Sequence, residues 1–146
     1  MSEQPKPLYP EKYYERLLFF AEADLRAAEL SLQGGAPFFH KPCFEARESA
    51  EKTLKAFIEA AGKEAPTLHS LPPLLSDCIA IDKNFGIFRG KCQTLNRYQS
   101  EARYPDEAAA DYRFTESMAA EAVGIARELF DFVRDRIERR KRDGLL

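Results

Sequence analysis

The sequence predicts an all-α fold, an antiparallel up-and-down bundle of four or five helices. Three observations carry this. Apolar residues recur at steps of three and four along three long segments. No stretch sustains the alternation of a strand. Gly- or Pro-containing turns separate the segments by short links.

The clearest segment is Phe44 to Gly62, FEARESAEKTLKAFIEAAG. Ala46, Ala50, Leu54, Phe57, Ile58 and Ala61 form one stripe, and Glu48 and Glu51 stand four residues before Lys52 and Lys55, the favourable order for helical ion pairs. Gly62 suits a left-handed C-terminal cap. Small alanines at one end and bulky residues at the other mark it as the central packing helix. Before it, Pro10 suits a first turn, and Tyr14, Leu17, Leu18, Ala21, Leu25, Ala28 and Leu32 trace a stripe that stops at Gly34-Gly35. The central helix is expected to start near Pro42.

After Gly62, Ser70 is the expected N-cap of a short helix with Leu71, Leu74, Leu75, Cys78 and Ile79 on its core face. Asp82 then caps a fourth segment carrying Phe85, Phe88, Cys92 and Leu95, weakened by Gly86 and Gly90, and ending near Ala102 because Pro105 disfavours helical geometry at Tyr104. Asp106 to Phe114 reads as a polar link. Thr115 caps the last helix, whose stripe is Ala119, Ala122, Val123, Ala126, Phe130, Val133 and Ile137. The expected organisation is a flexible N-terminal arm over 1–9, a single helical domain over 10–142, and a short tail over 143–146. The first, second and fifth helices should be the long ones.

Apolar content of 45%, charged content of 32% and a net charge of -2 are ordinary for a globular protein, so any site for an anionic partner must be local. No run is apolar and long enough to span a bilayer, and the polar, Pro-rich start has no signal-peptide character. The three cysteines, Cys43, Cys78 and Cys92, form no CxxC pair and read as buried side chains in a reducing compartment. A cytoplasmic location is expected. No His, Cys, Asp or Glu grouping has metal-ligand spacing, so neither a metal nor a cofactor is expected.

A first helix reading FFAEADLRAAELSL, the central ARESAEKTLKAFIEAAG, the loop TLHSL, and LNRYQSEARYPD before a last long helix together resemble the HEPN domain, over roughly Tyr13 to Ile137. The resemblance implies a helical bundle that pairs as a homodimer. It also implies nucleotide or RNA binding, metal-independent RNA cleavage, and pairing with a small nucleotidyltransferase in toxin–antitoxin operons. Catalytic members carry an Arg followed after four to six residues by a His, the Arg holding phosphate and the His exchanging protons. Arg97 matches the Arg. The positions where the His would fall are Ala102, Arg103 and Tyr104, and the histidines of this chain, His40 and His69, lie upstream.

What remains is Arg97 and Arg103 flanked by Tyr98 and Tyr104, a set able to hold phosphate and stack on a base, with Lys55 on the central helix extending a basic groove. The plainer alternatives are that RYPD terminates a helix, and that Lys52 and Lys55 lie on a solvated face paired with Glu48 and Glu51. His69 is the candidate general acid or base beside Arg97, imidazole being the side chain that exchanges protons near neutrality; the alternative is a loop-ordering role. His40 reads as a surface residue. Asp24 lies beside the core stripe of the first helix, where a carboxylate often has an Arg partner, and the arginines of the fourth are candidates. The basic end from Arg134 to Arg142 reads as a solvated helix terminus. Phe19 and Phe20 cannot both join the main stripe, so one of them is expected at a subunit interface. The leading functional reading is nucleotide or RNA binding, or a toxin–antitoxin module with a nucleotidyltransferase partner. The alternatives are a metal-independent ribonuclease using Arg97 with His69 or Tyr104, and a non-catalytic homodimeric interaction module.

Overall fold

The computed structural model describes residue 4 and residues 8–35, 37–101 and 114–146. Its architecture is built on the second helix, α2 (His40–Ala60), whose Cys43, Ala46, Ala50, Leu54 and Phe57 are fully buried. Each removes its apolar surface from water at about 25 cal/mol per Å². The first helix, α1 (Tyr13–Gly34), packs along α2 as an antiparallel hairpin. Ala21 and Ala28 face Ala46 and Ala50 in the same core, and the Ser49 hydroxyl donates to the Ala21 carbonyl at 2.8 Å. Small side chains allow that approach, because a bulky pair would hold the backbones apart. A second flank of α2 receives the last helix, α6 (Glu116–Arg142), every residue of whose expected stripe is buried. The Thr115 hydroxyl caps α6 by accepting from Met118 N at 3.1 Å, as its sequence position predicts.

Across one end lie α3 (Leu71–Ile81), a 3₁₀ segment (Lys83–Phe88), α4 (Arg89–Asn96) and the single turn α5 (Tyr98–Glu101). Phe57, Phe85, Phe88 and Phe132 interlock there with centroids 4.5–5.2 Å apart. The expected fourth helix is thus broken twice. Asp82 turns its first part into 3₁₀ by accepting from Asn84 N at 3.0 Å, and a second break falls at Arg97. Gly35 and Gly62, which follow α1 and α2, adopt φ of 76° and 83°, a region open to glycine at no steric cost. Two boundaries shift: α1 begins at Tyr13 rather than Pro10, and α2 begins two residues before Pro42, leaving the proline in its first turn. Among the described residues no helix is long and apolar enough to cross a membrane.

Two ion pairs tie the periphery. Arg136 Nε of α6 meets Asp82 Oδ2 at 2.7 Å, and Arg127 of α6 meets Glu29 of α1 at 2.5 Å. On the outer face of α1, Phe19 and Phe20 remain exposed, and Tyr9 packs against both at 5.6 and 5.1 Å.

Candidate functional site

Glu51 sits on α2 one helical turn from both Arg47 and Lys55, so all three side chains share a face. This is not a solvated face. Arg47 is 1% exposed and Glu51 is 7% exposed. Arg47 Nη1 bonds Glu51 Oε1 at 2.6 Å and Glu48 Oε1 at 2.9 Å, while its Nε and Nη2 are buried with no hydrogen-bond partner. An unsatisfied buried donor costs about 1–3 kcal/mol, so Arg47 is held at an energetic cost. The second carboxylate oxygen of Glu51 takes Lys55 Nζ at 3.1 Å and His69 Nδ1 at 3.0 Å. Burial pushes the Glu51 carboxyl up, but His69, Arg47 and Lys55 together outweigh it and hold the group below its ordinary range. Glu51 is therefore an ionised carboxylate with cationic groups on both oxygens.

The neighbouring Glu48–Lys52 pair forms as expected and gains Asp24 as a third member. Lys52 Nζ reaches Asp24 Oδ2 at 2.6 Å and Glu48 Oε2 at 3.8 Å. Asp24 thus takes its partner from α2, not from an arginine of the fourth segment, because the α1–α2 hairpin places Lys52 beside it.

His69 arrives from the loop before α3. Glu59 fixes the start of that loop by accepting from Ala65 N at 2.9 Å. The end is fixed from α4. Asn96 Oδ1 accepts from Leu71 N at 2.9 Å and lies 3.5 Å from the Ser70 hydroxyl. Asn96 thereby performs the capping that sequence position assigns to Ser70, whose own side chain makes no cap. The same contact draws the end of α4 against the loop. His69 and Arg97 each lie within two residues of it along the chain, at one end of the bundle. The His69 side chain is 66% exposed, and Arg97 is exposed.

Arg97 lays its guanidinium over the Tyr98 ring at 5.5 Å. Tyr98 does not take the place expected of it. At 2% exposure it belongs to the core, packing against Phe114 at 6.0 Å, so its ring offers no surface to a base. It lies next to Cys43, whose thiol burial pushes up to about 11 against the opposing pull of Tyr98 and Arg97. Arg103 and Tyr104 lie outside the described residues. His40 is half-buried and contacts Phe114 at 6.0 Å.

The structure thus brings together His69 and Lys55 through Glu51, leaves Arg97 over Tyr98 at the end of α4, and adds three residues that the sequence did not single out: Arg47, Glu51 and Asn96. Arg47 carried a signal, since it stands three before Ala50 and seven before Leu54 and so falls on the buried stripe. Chemically, the arrangement offers one exposed guanidinium able to donate to phosphate oxygens, an ammonium bonded to Glu51, and an exposed imidazole backed by that carboxylate.

The family model described as the HEPN domain matches residues 14–137. Among solved structures, the chain is similar to an archaeal HEPN homologue, at 26% identity and a TM-score of 0.68, over 85% of this chain and 97% of that one. It is also similar to a protein from Thermus thermophilus, at 27% identity and a TM-score of 0.72, over 85% of this chain and 98% of that one. No curated protein matches the sequence.

Proposed function

Because the chain belongs to the HEPN domain family, we propose that it binds the phosphate groups of a nucleotide or of RNA through Arg97, Lys55 and His69. In this reading it works as a homodimer, through the exposed Phe19 and Phe20, and alongside a small nucleotidyltransferase in a toxin–antitoxin pair. The observation that supports the binding site is the Asn96 contact, which ties the loop carrying His69 to the end of α4, where Arg97 follows. Arg97 is suited to bidentate hydrogen bonding to phosphate, and its guanidinium is pre-oriented by the face of Tyr98. The net charge of -2 makes such local cations the feature an anionic ligand would recognise.

Fluorescence anisotropy of a labelled single-stranded RNA against wild type, Arg97→Ala and Lys55→Ala tests the site. Loss of one phosphate contact should weaken binding by about ten-fold and flatten the salt dependence of affinity by about one unit of slope. Equal affinity and equal slope in all three proteins would overturn it.

A further inference from the structure

Phosphate binding makes no use of the outer face of α1, yet that face carries a contact of its own. Pro10 fixes its own backbone and disfavours helical geometry at Tyr9, so α1 does not extend back through them and begins at Tyr13. The chain bends at residues 8–9 and 11–12 and lays the Tyr9 ring against Phe19 at 5.6 Å and Phe20 at 5.1 Å. Phe19 and Phe20 meet edge to face at 6.0 Å, so the three rings form one cluster. The cover is partial. Phe19 stays 46% exposed and Phe20 41%, with Tyr9 itself at 45%.

The segment that carries Tyr9 is lightly held. Among the described residues, no backbone hydrogen bond ties residues 8–11 to the helices. The bond that holds them is exposed and runs from Arg16 Nη1 to the Glu11 carbonyl at 2.8 Å. Arg16 stands three and four residues before Phe19 and Phe20, so this latch and the ring cluster share one face of α1. Leu8, at 86% exposure, adds nothing to the hold. A segment with few buried contacts and a solvent-exposed hydrogen bond opens locally without disturbing the core.

We propose that Tyr9 is a releasable strap over this aromatic patch, and that a second copy of the chain displaces it; the inference rests on the homodimer reading above. Both occupants need the same rings. Tyr9 touches Phe19 and Phe20 together, so a partner subunit seats on them only when Tyr9 leaves. A two-fold interface uses the same patch on both subunits, so two straps open for each dimer formed. A strap closed about ten times as often as it is open, the ratio that one or two aromatic contacts give, raises the dimer dissociation constant by about a hundred-fold.

Sedimentation equilibrium of the full chain over a range of concentrations tests the strap. Tyr9→Ser removes the covering ring, keeps Phe19 and Phe20, and should tighten the dimer by about a hundred-fold. Arg16→Ala, which opens the latch, should shift the constant in the same direction. Phe19→Ser should give single chains with or without Tyr9→Ser. The chain contains no tryptophan, so Tyr9→Trp places a lone fluorophore on the strap. Its emission should move to longer wavelength as rising concentration drives dimerisation, because the indole passes from the rings into water. A move to shorter wavelength, or a dimer weakened by Tyr9→Ser, would make Tyr9 part of the interface and overturn the strap. A dimer constant unchanged by Tyr9→Ser would overturn the strap and leave the homodimer reading standing. Single chains at every concentration in every variant would overturn that reading and the competition with it.

Discussion

Replacing Asp82 with Asn should destabilise the protein at neutral pH and do progressively less harm as the pH falls. Asp82 Oδ2 lies 2.7 Å from Arg136 Nε, with the two side chains 17% and 18% exposed. It is a mostly desolvated pair joining α6 to the junction of α3 and the 3₁₀ segment. The Arg136 guanidinium, and after it the hydrogen bonds from Asn84, hold the Asp82 carboxyl below its ordinary value of 3.8 against the opposing effect of burial. A charge-assisted hydrogen bond contributes about 1.5–3 kcal/mol. The remaining solvent contact, and the Phe132 ring 5.4 Å from Arg136, soften the loss of the partner. Asp82→Asn keeps an acceptor for Asn84, so about 1–2 kcal/mol is expected at pH 7. Asp82→Ala removes that cap as well and adds about 1 kcal/mol. A folded-state carboxyl held below its unfolded value contributes stability that is full above the unfolded value and lost as pH falls through the folded one. The difference between wild type and Asp82→Asn should therefore be constant from pH 7 to about 5 and shrink below pH 4. Urea unfolding followed by circular dichroism over that range measures it. A penalty of the same size at pH 7 and pH 3 would refute the electrostatic account, and one below about 0.3 kcal/mol at pH 7 would show that the pair contributes nothing.

Three further outcomes are expected. Phe57→Ala, which empties the centre of the aromatic cluster with Phe85, should cost about 3–5 kcal/mol in the same urea assay; a cost under 1 kcal/mol would mean that the cluster re-closes. The thiols of Cys43, Cys78 and Cys92 are fully buried, and burial pushes them up to about 11 for Cys43 and about 12 for Cys92, with Cys78 raised as well, so none should react with an aromatic disulfide at pH 8 until the chain is unfolded. Rapid reaction of the native protein would contradict that burial. Phe19→Ser should reduce a species of twice the chain mass to a single chain in light scattering, and an unchanged mass would remove that face from the proposed dimer.

The bundle was legible because its signals are local and repeated. Each buried residue of α6 stands three or four residues from another, and Thr115 precedes them with the hydroxyl that a helix start requires. What escaped is tertiary. The break at Arg97 has no Gly or Pro to mark it, and the cap of α3 comes from Asn96, twenty-five residues away, where local chemistry favours Ser70. Arg47 is the instructive case. A charged residue between Ala46 and Glu48 reads as solvated, although its position falls on the core stripe, and burial of a guanidinium is stable only with a partner such as Glu51 already in place. His69 and Lys55 were visible as residue types, but the carboxylate that joins them depends on how a loop returns to α2.

The central place of α2 also bears on how the chain is made. Its contact with α1 is a hairpin between sequence neighbours, which closes at little entropic cost. Its contact with α6 joins segments separated by α3, α4 and the rest of the intervening chain. During synthesis from the N-terminus, the hairpin can form as soon as α2 emerges, while the flank of α2 meant for α6 stays open to solvent until Glu116–Arg142 has been made. That interval leaves the apolar surface of α2 that α6 covers open to any chaperone that binds apolar helices. A ribosome-stalled chain ending before Glu116 should accordingly be protease-sensitive along α2, and one extended past Arg142 should be protected there.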